Sequence, residues 1–310
     1  MSAKVHTFGC SFTQYSYPTW ADFIAMHYDV DVINHALPGY GNDIIKKKLY
    51  TINSTDYVCM MFTGAIRESN YFDYNFAKQI EPTDNDLIQK FNKFSFEGQK
   101  GYYIPIIKYF ERINVVESHT NIIYKNFETI LDCLNLCKLK KFPYIGMAWC
   151  DLTPNQSFAD GLHTPGNHLL NYFLGQNTLK TKLDWEETAY IVDIIEQIED
   201  SNWIGSVKSG LFEHHWTNRS LVEKQPRCDA HPTSLGNFDY FVRNIKPILD
   251  NTFTTKNNLQ HLEQSTKNLV EYFSTLTEKE YKKEVTSNDQ NGWSQEQQDE
   301  KNKLIKEFYG

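Results

Sequence analysis

Lys4-Val5-His6-Thr7-Phe8-Gly9-Cys10-Ser11-Phe12-Thr13 reads as a short buried strand that runs straight into a Gly-x-Ser turn. A hydroxyl carried on such a turn stands at the carboxyl end of the first strand of an α/β sheet. That edge is where open α/β sheets bind their ligands. Working outward, Tyr17 to His27 places Trp20, Phe23 and Ile24 on one face with Pro18 near the start, which predicts a helix. Val30 to Asn34 reads as a second strand, and Asp43 to Thr51 as a helix after the turn-rich Leu37-Pro38-Gly39-Tyr40-Gly41-Asn42. Tyr57 to Phe62 is an unbroken apolar run, the pattern of a parallel strand buried on both faces. Strand, helix, strand, helix, strand with short crossovers makes the chain α/β, with a parallel sheet between helices.

Beyond the third strand the chain changes character. Residues 67–101 interleave Asn, Asp, Tyr and Phe, which suggests an insertion over the strand ends. Its Tyr71, Phe72, Tyr74, Phe76, Phe91, Phe94 and Phe96 serve either as a sugar-stacking wall or as ordinary packing of the insertion. Helical periodicity runs through Pro105 to Lys140, and Phe142 to Cys150 forms the next core strand. Asp151 to Lys182 is loop-rich, Trp185 to Ile198 is an amphipathic helix, and Ser234 to Leu249 closes a main domain of residues 1–250. Residues 251–310 form a polar C-terminal helical extension. Leu259, Leu262, Thr266, Leu269, Phe273 and Leu276 make one apolar stripe along it, either docked on the body or pairing with a second copy in a homo-oligomer.

Bulk properties exclude several classes. At 310 residues, 40% hydrophobic and 15% aromatic, the chain is globular and large enough for a substantial core. A net charge of −8 argues against nucleic acid and anionic membranes as partners, and Lys46-Lys47-Lys48 reads as a solvated helix face. No window approaches the ~18 apolar residues of a membrane helix. Apolar alternation begins within a few residues of Met1, so no secretory leader is expected and a cytoplasmic setting is the default. None of the six cysteines lies in CxxC, and Cys10, Cys133 and Cys137 read as core residues. His163, His168, His214 and His215 lack a companion carboxylate cluster, so neither metal nor other cofactor is implied. His35 reads as a packing or hydrogen-bonding residue near the second strand's end.

Near the far end stands Cys228-Asp229-Ala230-His231-Pro232. A serine hydroxyl is a weak nucleophile until an imidazole takes its proton, and that imidazole must be held in one tautomer. Ser11 and His231 are the candidates for those two parts, and Asp229, two residues before the histidine, could orient the ring from the same face of an extended segment. Gly39 and Gly41 allow backbone to approach a substrate without a Cβ in the way, while Asn42 carries an amide that either donates to substrate or holds the loop.

The blocks FGCSFT (8–13), NHALPGYGND (34–43) and DAHP (229–232) resemble those of the SGNH, or GDSL-type, hydrolases over about residues 3–250. The likeness is to variants of phage and bacterial genomes whose first block reads Gly-Cys-Ser-Phe-Thr. It implies a flavodoxin-like three-layer fold and hydrolysis of esters or acetyl esters. Carried over by position, Ser11 is the nucleophile, His231 the general base, and Gly39 an oxyanion donor beside the Ser11 amide. Two departures stand out. Where the family offers Gly-x-Asn after the third strand, this chain reads FTGAIRES (62–69), leaving Thr63 or Arg67 to take that place. Where the family puts Asp three residues before His, this chain has Cys228, so either Asp229 orients the ring or a Ser-His dyad operates. The expected substrate is a small acyl ester or an acylated glycan. The alternatives are a catalytically weak binding or structural module, associated with virions or glycans, and an O-acyltransferase.

Overall fold

The computed structural model describes residues 3–37, 41–52, 56–63, 69–73, 92–96, 99–105, 119–150, 152, 185–223, 231–285 and 294–310. Strand β1 (Ala3–Phe8) leads through helix α1 (Trp20–His27) to β2 (Val30–Asn34), and α2 (Asn42–Thr51) leads to β3 (Tyr57–Phe62). A second, antiparallel sheet follows, built of β4 (Ser69–Asp73), β5 (Asn92–Phe96) and β6 (Gln99–Pro105) in the order β4-β6-β5. Helix α3 (His119–Lys140) then feeds β7 (Tyr144–Ala148), and α4 (Trp185–Glu199) feeds the short β8 (Trp203–Ile204). The main sheet is parallel throughout, in the order β2-β1-β3-β7-β8. This is the flavodoxin-like doubly wound order, in which the chain leaves β1 to one side and returns to pair β3 on the other.

Right-handed crossovers send α1 to one face of such a sheet and α2 to the other. Helices α2, α3 and α4 pack in sequence on one face. Helix α1 packs with α7 (Ser234–Tyr240) on the opposite face, which completes an α/β three-layer fold. The central strands are closed to solvent on both sides: every residue of β3 and β7 is buried. β8, two residues long, escapes a periodicity reading; its register is set by Gly146 and Met147 opposite Trp203 and Ile204. Ahead of α7 lie α5 (Leu211–Thr217) and α6 (Arg219–Val222).

Two local expectations are corrected, and a third, the helix over Ser234 to Leu249, keeps its bounds with a π-helical turn inside it. Helix α1 begins at Trp20 rather than Tyr17, because Thr19 N-caps it in a reciprocal capping box with Asp22. The helix expected over Ser234 to Leu249 consists of α7, a π-helical turn (Phe241–Ile245) and α8 (Lys246–Leu249), with Pro247 in the first turn of α8. Lys46-Lys47-Lys48 is not a uniformly solvated face. Only Lys47 is exposed, Lys46 pairs with Asp132 at 2.5 Å, and the Lys48 ammonium is buried and donates to the carbonyl of His35 at 2.9 Å. Desolvation lowers the Lys48 pKa to about 8.

The chain does not end with α8. Residues 254–257 return along the sheet edge, where Asp29 N donates to Thr254 O and Lys256 N to His27 O. Helices α9 (Leu259–Thr275), α10 (Glu278–Glu284) and α11 (Gln295–Tyr309) follow. Leu262, Leu269, Phe273, Tyr281, Val285 and Tyr309 belong to the same continuous core as Val5 and Trp20. The apolar stripe of α9 is therefore covered by the chain's own body, against α1 and α7. Among the described residues, no helix is long and apolar enough to cross a membrane.

Candidate active site

The turn after β1 is built around Gly9. A Cβ at this position would lie 2.1 Å from Thr13 Oγ1 and 3.1 Å from the carbonyl oxygen of Met61. Thr13 is fully buried and cannot swing away, so nothing larger than glycine lets the chain fold back. The amides of Thr13 and Gln14 then both donate to the carbonyl of Cys10, at 2.9 and 3.1 Å, closing one tight turn. Cys10 is fully buried in the core, and Ser11 is buried beside it with 9% of its surface exposed. We predict that Gly9→Ala costs about 1–3 kcal/mol of stability through overpacking. Urea unfolding measures it; an unchanged midpoint would show that the turn tolerates the methyl group.

Ser11 Oγ lies 2.9 Å from Nε2 of His231, across 220 residues of sequence. For the hydroxyl to donate, Nε2 must be unprotonated and the neutral ring must carry its proton on Nδ1. The ring lies between two aromatic side chains. Tyr15 stacks on it at 4.1 Å between centroids, and Phe12 approaches at 5.1 Å. Its backbone is fastened to the segment that follows the Ser11 turn. Tyr17 OH donates to Pro232 O at 2.9 Å, Ser234 Oγ to Pro18 O at 2.7 Å, and Asn237 accepts from Trp20 N while donating to Pro232 O. The imidazole is thus held by packing and hydrogen bonds on the same stretch that carries the serine. Tyr15, Tyr17 and Asn237 were missed in the sequence, because stacking and capping partners more than two hundred residues apart leave no local signal.

On the other side of Ser11, Asn42 is completely buried at the start of α2. Its Oδ1 accepts from Thr63 N at 2.7 Å and from the Thr63 hydroxyl at 3.1 Å. Its Nδ2 donates to Thr63 O at 3.1 Å and to Asn126 Oδ1 at 3.2 Å. Of the two roles open to Asn42, these bonds serve loop-holding: one N–H ties the start of α2 to the end of β3 and the other ties it to Asn126 on α3. Thr63 is likewise fully buried and engaged. Asn126 was overlooked in the sequence, although a signal existed. It falls between Ile122 and Ile130 on the apolar stripe of α3, where an amide needs a polar partner. Gly39, Arg67 and Asp229 lie outside the described residues, as do Cys228, His163 and His168.

Beneath the loop after β2, a chain of polar groups runs along the sheet. His6 Nε2 meets Asp56 Oδ2 at 3.1 Å, and His6 Nδ1 meets His35 Nε2 at 2.8 Å. A carboxylate only accepts, so His6 donates to Asp56 from Nε2; with both rings neutral, His35 then donates to His6. His35 also stacks on Phe8 at 4.7 Å. Burial, followed by the nearby Lys48 and His6, lowers the His35 pKa to about 4. The unfolded chain therefore binds a proton at His35 that the folded chain does not, between about pH 6.5 and pH 4. Stability is complete above that window, falls by roughly 3 kcal/mol across it, and loses nothing more from this group below it. Melting temperature followed against pH should lose much of its acid slope in His35→Gln. An identical slope in both proteins would remove His35 as the cause.

Among the described residues, no group of His, Cys, Asp and Glu is arranged to hold a metal ion. His214 instead pairs with Asp239 at 2.8 Å, and His215 is fully buried. The described cysteines are free and buried, and burial raises the thiol pKa of Cys59 and Cys133 and lifts that of Cys137 to about 12. Thiolate chemistry has no support at these positions.

No family model matches the chain, and no curated protein matches it. Among solved structures it is similar to the crystal structure of a catalytic mutant of Axe2, an acetylxylan esterase from Geobacillus stearothermophilus. The two share 11% identity with a TM-score of 0.40, over 83% of this chain and 99% of that one. A likeness of that size is too weak to bear on the site, whose chemistry rests on the geometry of Ser11 and His231.

Proposed function

We propose that this chain is a serine esterase of SGNH type that removes a short acyl group, such as acetyl, from an ester, with an acylated glycan as the substrate class. The single observation that carries this reading is the 2.9 Å approach of Ser11 Oγ to His231 Nε2. That approach lies at the carboxyl end of β1, beside the point where the sheet order reverses between β1 and β3. Ser11 Oγ attacks the acyl carbon while His231 Nε2 takes its proton. The amide of Ser11, together with that of Gly39, receives the developing oxyanion, each such donor contributing about 3 kcal/mol to the transition state. His231 returns the proton to the leaving alcohol. Water, activated by the same imidazole, then releases the acid from Ser11. In this reading Asp229 is the group that orients the imidazole, and Arg67 is the candidate to hold the oxyanion or a substrate carboxylate.

A fluorophosphonate probe should form an adduct on the peptide containing Ser11, and p-nitrophenyl acetate should be turned over. Both signals should vanish in Ser11→Ala and His231→Ala. Equal labelling and turnover in wild type and both variants would reject the esterase reading in favour of a binding module.

A further inference from the structure

The C-terminal helix α11 reaches the turn that carries Ser11. Side-chain amides line up head to tail between them. Asn34 Nδ2 donates to Gln14 Oε1 at 2.5 Å and to Thr13 O at 3.0 Å. Gln14 Nε2 donates to Gln298 Oε1 at 2.8 Å, and Gln298 Nε2 donates to Asn302 Oδ1 at 2.9 Å. At the other end of the row, Asn34 Oδ1 accepts from the amide of Ala36, where the loop toward Gly39 begins. Gln14 is the last residue of the Ser11 turn and is buried, so its amide has little water to fall back on. One turn further along α11, the ammonium of Lys301 meets Asp22 at 2.6 Å in the first turn of α1. Two contacts from α11 therefore bracket the segment between Ser11 and α1.

We infer that Gln298 is a positioning residue of the Ser11 site. Through Gln14 it fixes the nucleophile turn and the entry of the loop after β2 relative to one another. The inference rests on the reading of Ser11 as the nucleophile, and its structural content can be measured apart from that reading. Without an acceptor at position 298, the Gln14 amide turns to find another partner. Asn34 then keeps only the Thr13 carbonyl as acceptor, and the turn and the loop are held less tightly to one another. Misplacement on the scale of 1 Å is enough to slow an attack by roughly a hundredfold.

The test compares Gln298→Leu, which keeps an apolar stem of similar bulk and removes the acceptor, with Gln298→Glu, which keeps an acceptor oxygen, both in the full chain. Lys303→Ala on the exposed side of α11 is the control. With p-nitrophenyl acetate, Gln298→Leu should lower kcat roughly ten- to a hundredfold while KM changes far less. Gln298→Glu should recover most of kcat, and Lys303→Ala should match wild type. Hydrogen exchange of the Ser11–Gln14 amides should quicken in Gln298→Leu and return toward wild type in Gln298→Glu. Equal kcat in the Leu and Glu variants, or unaltered exchange in the turn, overturns the inference. If the wild-type chain hydrolyses no ester, the esterase reading falls by itself, and the exchange comparison still decides whether Gln298 holds the turn. A Gln298→Leu chain that fails to fold is replaced by Gln298→Ser, judged by the same two readouts.

Discussion

Ser11→Ala is expected to lower kcat/KM for a short-chain ester by about 10⁴- to 10⁶-fold, and His231→Ala by a similar factor. Each substitution removes one half of a proton transfer that is useless without the other. The double variant should consequently be hardly slower than either single one. Stability separates the two changes. Ser11→Ala removes a buried hydroxyl that bonds to His231 but leaves the surrounding packing in place, and should cost about 0.5–1 kcal/mol. His231→Ala empties the slot between Tyr15 and Phe12 and should cost about 1–3 kcal/mol as well as the activity. Initial rates and calorimetry on the three proteins check both statements. Additive losses in the double variant would mean that the two side chains act independently, and the proposed mechanism would be abandoned.

The largest effect on stability is expected at Asp22. Its carboxylate accepts from the backbone and hydroxyl of Thr19 at 2.7 and 2.9 Å and faces the Lys301 ammonium at 2.6 Å. Lys301 is 0% exposed, whereas the Asp22 side chain is 17% exposed. Asp22→Ala leaves a cation sealed away from water, a loss of about 3–5 kcal/mol. It also breaks the capping box of α1, which adds about 1 kcal/mol. Lys301→Met is expected to cost clearly less, because Asp22 keeps both Thr19 donors and some water, and the thioether chain fills the same volume. Combining Lys301→Met with Asp22→Asn should recover most of the loss, since burying a matched apolar and neutral pair is often no worse than burying the ions. Urea unfolding of wild type and these three variants measures the losses. If Asp22→Ala and Lys301→Met each cost under about 1 kcal/mol, the pair is a loose surface contact and α11 is held by its apolar residues alone.

In the sequence the last helix reads only as part of a polar extension. Residues 295–309 are rich in Lys, Glu and Gln, and no stripe marks them as part of a core. Their attachment includes Gln298 to Gln14, Lys301 to Asp22, and Tyr309, whose hydroxyl reaches Thr266 at 3.0 Å, together with Leu304 and Phe308 packed against the core. A buried lysine is indistinguishable from a solvated one until its partner is known. Lys48 makes the same point on α2, where it sits in a basic run yet ends beneath the His35 carbonyl. Helix ends and very short strands escaped for a related reason. The start of α1 depends on a cap geometry, and β8 on which residues it faces, rather than on periodicity.

The amino-acid sequence by itself determined the parallel strands, through apolar runs such as Tyr57 to Phe62, and the glycine turn that puts Ser11 at a strand end. Those features arise from near neighbours, where hydrophobic period and backbone sterics leave few alternatives. It also named His231 as a partner, without saying that the two would meet. Only the tertiary structure brought them to 2.9 Å, stacked Tyr15 on the ring, and turned Asn42 inward to clamp Thr63. Contacts between residues far apart along the chain depend on how whole layers pack, and no local pattern of side chains encodes that distance.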